Sequence, residues 1–215
     1  MSFYGCISQL YLGPSTGCAE CLLLTVMAYD RYLAICNPLR YSSIMNIRTR
    51  NHLVVWVWLF GLIVMIIPTA TVCKLQFCDS NTIDYLFCDL APLLQLSSTD
   101  TALVEMEAIL ITIIVTLFPF MLIILSYVCI FWTILKVTSK TGRQKTFSTC
   151  SAHLASVCAY FGTIFIIYFV PSEQNSFKIN KFISLLYTIV TPLLNPIIYS
   201  LRNREMKACF LSYFS

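Results

Sequence analysis

The chain has 215 residues, 58% of them hydrophobic and only 11% charged, with a formal net charge of +4. Its apolar residues run in long blocks instead of the short alternations of a soluble core, which is a membrane composition and leaves no room for a separate soluble domain. A β-barrel is excluded because its strands need alternating segments of about ten residues; a nucleic-acid surface is excluded because the basic residues form no stripe on a folded face.

A hydrocarbon slab about 30 Å thick requires roughly 20 apolar residues per spanning helix. Five such blocks cover about 5–29, 53–72, 104–135, 147–170 and 179–201. The helices carrying them are expected over about 5–36, 53–72, 103–137, 145–170 and 178–201, followed by a short C-terminal amphipathic segment. The expected fold is all-α, a multi-pass transmembrane helical bundle forming one domain over 1–215.

The first block holds two short patterns that chemistry rejects. Gly13-Pro14-Ser15-Thr16-Gly17 fits the Gly-X-Ser-X-Gly nucleophile elbow, but an elbow needs a preceding strand and a histidine within reach. Ser15 falls in the outer half of a helix, while His52 and His153 fall at the inner border. Cys18-Ala19-Glu20-Cys21 has the spacing of a redox or zinc half-site without its second half. No enzymatic activity, cofactor or metal site is expected. Glu20 precedes Asp30 by ten positions, about 15 Å deeper along a helix. It is therefore an acid near mid-membrane with no cation at its depth, expected to be neutral unless water or another polypeptide reaches it.

Asp30-Arg31-Tyr32 closes this block. Adjacent helical residues point about 100° apart, so the carboxylate reaches the guanidinium only through a bent side-chain contact near the aqueous border. Such a pair either marks a helix end, with both groups snorkelling, or acts as a contact that can open.

Orientation follows from the loops. Arg40, Arg48 and Arg50 follow the first block, Lys136, Lys140, Arg143 and Lys145 the third, and Arg202, Arg204 and Lys207 the fifth. The segment from Cys73 to Ala102 instead carries Asp79, Asp84, Asp89 and Asp100 against Lys74 alone. The positive-inside bias puts the basic segments in the cytosol and the acidic one outside. Lys145 to Leu154 add Thr146, Ser148 and Thr149 hydroxyls suited to a cytosolic partner, and also serve as a stop signal; His153 by itself reads as a solvated border histidine. In the last block, Pro196 removes a backbone donor and Asn195 offers a side chain to the freed groups, which predicts a kink. Of the 11 cysteines, Cys6, Cys73, Cys78 and Cys88 lie on the oxidising side and are the disulfide candidates.

Helical phase directs Gly13, Pro14, Gly17 and Cys18, then Ile111 and Val115, then Phe161, Phe165 and Tyr168, and finally Leu185 and Thr188 toward a common interior. That lining is mostly apolar and would select small hydrophobic ligands by shape and burial. The plain alternative is that these residues pack the bundle.

Three stretches resemble signatures of the olfactory receptors, a branch of the rhodopsin-like G-protein-coupled receptors: "MAYDRYLAICNPLRY" (27–41), "KTFSTCSAHL" (145–154) and "PLLNPIIYSLRN" (192–203). The resemblance runs from Cys6 to the carboxyl tail. It implies seven helices in the family, of which this chain is similar to the third through seventh, so the first two are expected to be missing. It implies a Cys6–Cys88 bridge from the outer end of the third family helix to the long outer loop. A second bridge is common there; Cys78 has its match, but the later position reads Ser98, which leaves Cys73 as a substitute partner. It implies that Arg31 is held by Asp30 at rest and released toward a heterotrimeric G protein of the olfactory or stimulatory type. Tyr199 swings inward on activation with Tyr127 as counterpart, and Lys145 and His153 border the coupling face.

By the same resemblance Glu20 belongs to a polar site completed on the second helix, and the pocket takes a small volatile odorant. Two departures stand out: Pro14 replaces a common histidine or aromatic, and Tyr160-Phe161 transposes the usual order, removing a hydroxyl from position 161. The expected protein is a plasma-membrane odorant receptor. Its alternatives are a truncated product that does not signal, with retention in the endoplasmic reticulum, and a multi-pass transporter or channel, for which paired broken helices or polar rings would be needed.

Overall fold

Pro38 sets the first boundary of the fold. The first long helix, α1, runs from Phe3 to Cys36; a proline clashes with a helical residue before it, and Asn37 leaves the helical region at φ −133° and ψ 56°. The fixed φ of Pro38 then starts the short helix α2 (Pro38–Ile44). Asn46 opens α3 (Ile47–Val64), its side chain accepting the Thr49 amide at 2.8 Å. The computed structural model describes residues 3–77, 88 and 90–169, without the side chains of 91, 92, 145, 149 and 166–169. Two units divide the chain, Met1–Cys129 and Ile130–Ser215.

Two prolines shape the remaining helices of the first unit. Pro68 has no N–H for the carbonyl of Val64 and crowds it, and the helix breaks there: α3 stops at Val64 and α4 runs Ile66–Val72. After the short α5 (Leu90–Gln95) comes α6 (Ala102–Thr112). Pro119 then leaves the Val115 carbonyl without its donor. The chain widens into a π-helical stretch, Ile113–Leu117, in which the Phe118 amide bonds the Ile113 carbonyl, before α7 (Phe118–Lys136) resumes.

Helices long and apolar enough to cross a membrane cover Phe3–Cys36, Ile47–Val72 and Ala102–Lys136 among the described residues. Their outward faces carry what a soluble protein hides. On α3, Val55, Trp56, Trp58 and Ile63 are exposed while Val57 and Gly61 are buried; on α7, Phe131 and Trp132 are exposed. Lipid removes the cost of that exposure.

The first unit is held at one end by an apolar cluster of Cys6, Leu10, Val72, Cys88, Leu93 and Val104. Cys6 and Cys88, 82 residues apart, are joined by a disulfide with their Cα atoms 5.1 Å apart. Along the spans, α1 packs on α3 through small residues: Ser15 and Ala19, one turn apart and both buried, face Gly61. The Tyr11 hydroxyl donates to the Leu62 carbonyl at 3.0 Å, satisfying one of the last-turn acceptors of α3.

In the second unit, α8 runs Lys140–Phe169. Cys150, His153, Ser156, Val157 and Tyr160 are buried at helical spacing, one face of that helix. The Arg143 guanidinium donates to the Val137 carbonyl at 3.1 Å and reaches the Leu135 carbonyl at 3.5 Å, so this topology-setting charge also caps the end of α7. The span expected at 178–201 lies outside the described residues.

Candidate functional site

At the end of α1, Asp30 is shared between two partners of unequal reach. Arg31 Nε comes only to 3.9 Å of Asp30 Oδ2, as the angle between adjacent helical side chains dictates. The Tyr41 hydroxyl donates to Asp30 Oδ1 at 3.0 Å. The side chain of Asp30 is 19% exposed and that of Arg31 is 37% exposed. An ion pair so long and so open is worth below about 1 kcal/mol, so the hydrogen bond from α2 is what holds the carboxylate. Tyr32 stacks on Tyr29, with ring centroids 6.3 Å apart.

Tyr41 was legible only as a neighbour of the motif. Its place at the site follows from Pro38: the break after Cys36 folds α2 back, and a residue 11 positions beyond Asp30 returns to it. Burial first, then the hydrogen bond to Asp30 and its charge, hold the Tyr41 phenol above its ordinary value of 10.0, against the opposing pull of Arg50 and Arg31. A raised phenol favours the protonated donor. The contribution is therefore present below about pH 10 and is lost as pH rises through the folded value.

The other expected switch residues fall in separate parts of the chain. Tyr127 is half-buried on α7 in the first unit. His153 is 1% exposed in the second, which corrects its reading as a solvated border residue: the buried stripe of α8 from Cys150 to Tyr160 passes through it. The Lys145 side chain, and Asn195, Pro196 and Tyr199, lie outside the described residues.

Of the expected ligand-binding residues on α1, Cys18 is buried, Gly17 half-buried, and Gly13 and Pro14 exposed. Val115 is buried in the π-helical stretch, which packs against α1, and Ile111 is half-buried on α6. In the second unit Phe161 is half-buried and Phe165 exposed, and the hydroxyl that the transposed pair moved sits on buried Tyr160, whose ring meets Phe161 edge-on at 5.2 Å. The Tyr168 side chain, Leu185 and Thr188 lie outside the described residues. Glu20 is half-buried, with no hydrogen bond or ion pair to its carboxylate among the described residues.

Sequence reasoning missed a second acid. Glu107 on α6 accepts from the Thr71 hydroxyl of α4 at 3.3 Å, while its other carboxylate oxygen is buried without a hydrogen-bond partner among the described residues. At the disulfide end, Gln9 Oε1 accepts the Cys88 amide at 2.9 Å. Ser98 donates its amide at 2.9 Å and its hydroxyl at 3.0 Å to the Gln76 carbonyl. Hydrogen bonds thus tie the two segments that a second bridge would have joined; Cys73 is a free, exposed thiol, and Cys78 lies outside the described residues.

A polar latch at one end of α1, a covalent staple at the other and lipid-facing side chains between them follow the plan of a G-protein-coupled receptor. A family profile described as olfactory receptor matches residues 1–215. Human olfactory receptor 10A7 is 47% identical over 207 residues, 96% of this chain and 66% of the relative. Human olfactory receptor 10A3 is 48% identical with the same coverage. Mouse olfactory receptor 5G29 is 46% identical over 210 residues, 98% of this chain and 67% of the relative. The chain belongs to the olfactory receptor family and spans about two-thirds of the length of these relatives. It is an all-α, multi-pass membrane protein.

Proposed function

We propose that the protein binds a small hydrophobic odorant within its helical bundle and activates a heterotrimeric G protein of the olfactory or stimulatory type at the plasma membrane. The observation that carries this reading is the Asp30 junction: a carboxylate on a spanning helix held by Tyr41 at 3.0 Å and only loosely by Arg31, in a chain of this family. Arg31 is the group to be released, and the Tyr41 contact is the element that must break. Leu39, 96% exposed in the first turn of α2, supports a protein contact there, because a fully solvated leucine next to a switch costs free energy until a partner covers it. Tyr127, His153, Asn195, Pro196 and Tyr199 are the further switch residues of this proposal, and Lys145 borders the coupling face. Within the first unit, Val115, Cys18 and Gly17 are the ligand-facing residues of this proposal.

Expressed from its own gene in cells carrying a cyclic-nucleotide reporter, the protein is expected to respond to a hydrophobic odorant, and Arg31→Gln to abolish the response at unchanged surface level. Solute or ion flux that persists without G protein would replace this reading with a transporter or channel.

Tyr41→Phe removes a charge-assisted hydrogen bond at a partly solvated site, worth about 1 kcal/mol, which corresponds to roughly a five-fold shift toward the released state. The expected result is a several-fold rise in ligand-independent cyclic nucleotide with surface expression unchanged. Basal signalling equal to the parent would show that Asp30 is restrained elsewhere.

A further inference from the structure

Between the Tyr41 turn and the start of α3 lies a cleft of about 590 Å³, lined by Tyr41, Met45, Asn46, Ile47, Arg48 and Arg50 among others. Its chemistry is one-sided. Arg48 and Arg50 are exposed, and neither pairs with a carboxylate among the described residues. Ile47 and Arg48 are the first two residues of α3, whose backbone amides have no acceptor within the helix. The Asn46 side chain and carbonyl take the next two amides, of Thr49 at 2.8 Å and Arg50 at 3.1 Å. The positive end of the α3 dipole adds to both guanidinium charges. Asp30, the acid closest to this turn in the hydrogen-bond network, is already engaged by Tyr41 and Arg31.

The cleft also opens onto lipid-facing surface. Ile47 is 69% exposed, and exposed Val54 and Val55 stand two turns further along α3, beyond exposed Arg50 and Asn51. A ligand that places anionic groups among the arginines and hydrocarbon along α3 satisfies both surfaces at once. An ammonium-bearing headgroup would set its cation against the two guanidinium groups, whereas a ring carrying several phosphates offers bidentate acceptors to each.

We propose that this cleft binds the phosphorylated headgroup of an anionic lipid of the phosphoinositide class, drawn from the leaflet that Arg48 and Arg50 face, with its acyl chains along the outer face of α3. The Tyr41 hydroxyl has one proton to donate. A headgroup phosphate that takes it competes directly with Asp30, so the lipid biases the junction toward the released state, and by linkage the released state binds the lipid more tightly.

The test uses purified protein in phosphatidylcholine nanodiscs doped with phosphatidylinositol bisphosphate, with binding read by native mass spectrometry. No odorant or G protein is present, so the outcome is independent of signalling. The double variant Arg48→Gln/Arg50→Gln is expected to raise the half-saturating lipid fraction about thirty-fold, from roughly five-fold per basic residue lost. Lys136→Gln/Lys140→Gln, which removes equal charge from another basic segment, is expected to change it less than about three-fold. Equal losses in the two double variants, or equal binding of phosphatidylserine, would reduce the effect to general surface attraction and overturn the proposal. Equal competition by soluble inositol trisphosphate would overturn the lipid as source. Unchanged lipid binding by Arg48→Gln/Arg50→Gln would likewise overturn it.

Discussion

Replacing both Cys6 and Cys88 by serine is expected to produce the largest loss of stability of any change in the first unit. The bridge closes a loop of 82 residues, and the chain-entropy relation assigns such a loop about 4.5 kcal/mol. Part of that loop consists of α3 and α4, which in a bilayer remain inserted and helical when tertiary contacts are lost. The chain freed by cutting the bridge is correspondingly shorter, but the dependence on length is logarithmic and the expected loss falls only to about 4 kcal/mol.

Both half-cystines are also core residues. They pack with Leu10, Val72, Leu93 and Val104, so the substitution opens the apolar cluster as well as the loop. The Gln9 bond to the Cys88 amide survives only if the segment stays in place. Thermal unfolding of the purified protein, followed by tryptophan fluorescence, should show a clear drop in midpoint for the double variant, and the parent should move to the same midpoint in reductant. A reductant-insensitive parent would mean that the hydrogen bonds of Gln9 and Ser98 and the apolar cluster hold this end without the covalent tie.

Long features dictated by solvent were legible in the chain. Apolar blocks and their basic flanks place helices over about 5–36, 53–72 and 103–137, against Phe3–Cys36, Ile47–Val72 and Ala102–Lys136 in the structure, because existence and length need only a composition; the second starts six residues earlier, where Asn46 caps a polar first turn that hydropathy leaves out. What escaped were contacts set by helix breaks. Pro38 was visible, yet its consequence, Tyr41 folding back on Asp30, depends on the direction in which the chain leaves α1. Composition does not encode that direction.

Helical phase holds as far as Val115, which is buried, but carries no further wherever the helix is not α. A π turn inserts one residue, so the face deduced from the outer end of 103–137 loses register after Val115. His153 shows the reverse case: its burial follows from the stripe of Cys150, Ser156 and Tyr160, a three- and four-residue spacing present in the sequence but outweighed there by the basic residues just before it. Glu107 had no such cue, since nothing in "VEMEAIL" distinguishes the acid that meets Thr71 on α4 from Glu105, which bonds Thr101 in its own turn.

Glycine substitutions on the two packed spans are expected to give opposite signs. A Cβ on Gly61 would lie 2.7 Å from the Ser15 carbonyl oxygen and 3.4 Å from the Ala19 amide nitrogen. Both obstacles are backbone of a spanning helix, so relief requires α1 and α3 to separate instead of a side chain turning aside. Overpacking of this kind costs about 1–3 kcal/mol for alanine and more for leucine. It also stretches the Tyr11 bond to Leu62, which spans the same interface at 3.0 Å.

Gly13 is the internal control: a Cβ there meets nothing within 4 Å, and alanine in a helix interior gains about 0.5–1 kcal/mol by restricting the unfolded chain. Gly61→Ala should therefore lower the unfolding midpoint and the surface level, Gly61→Leu should abolish surface expression, and Gly13→Ala should hold or raise both. A Gly61→Ala protein as stable as the parent would show that α1 and α3 do not approach this closely in the membrane. The placement of the Asp30 junction against α2, which depends on how α1 is seated, would then have to be rebuilt from the Tyr41 contact alone.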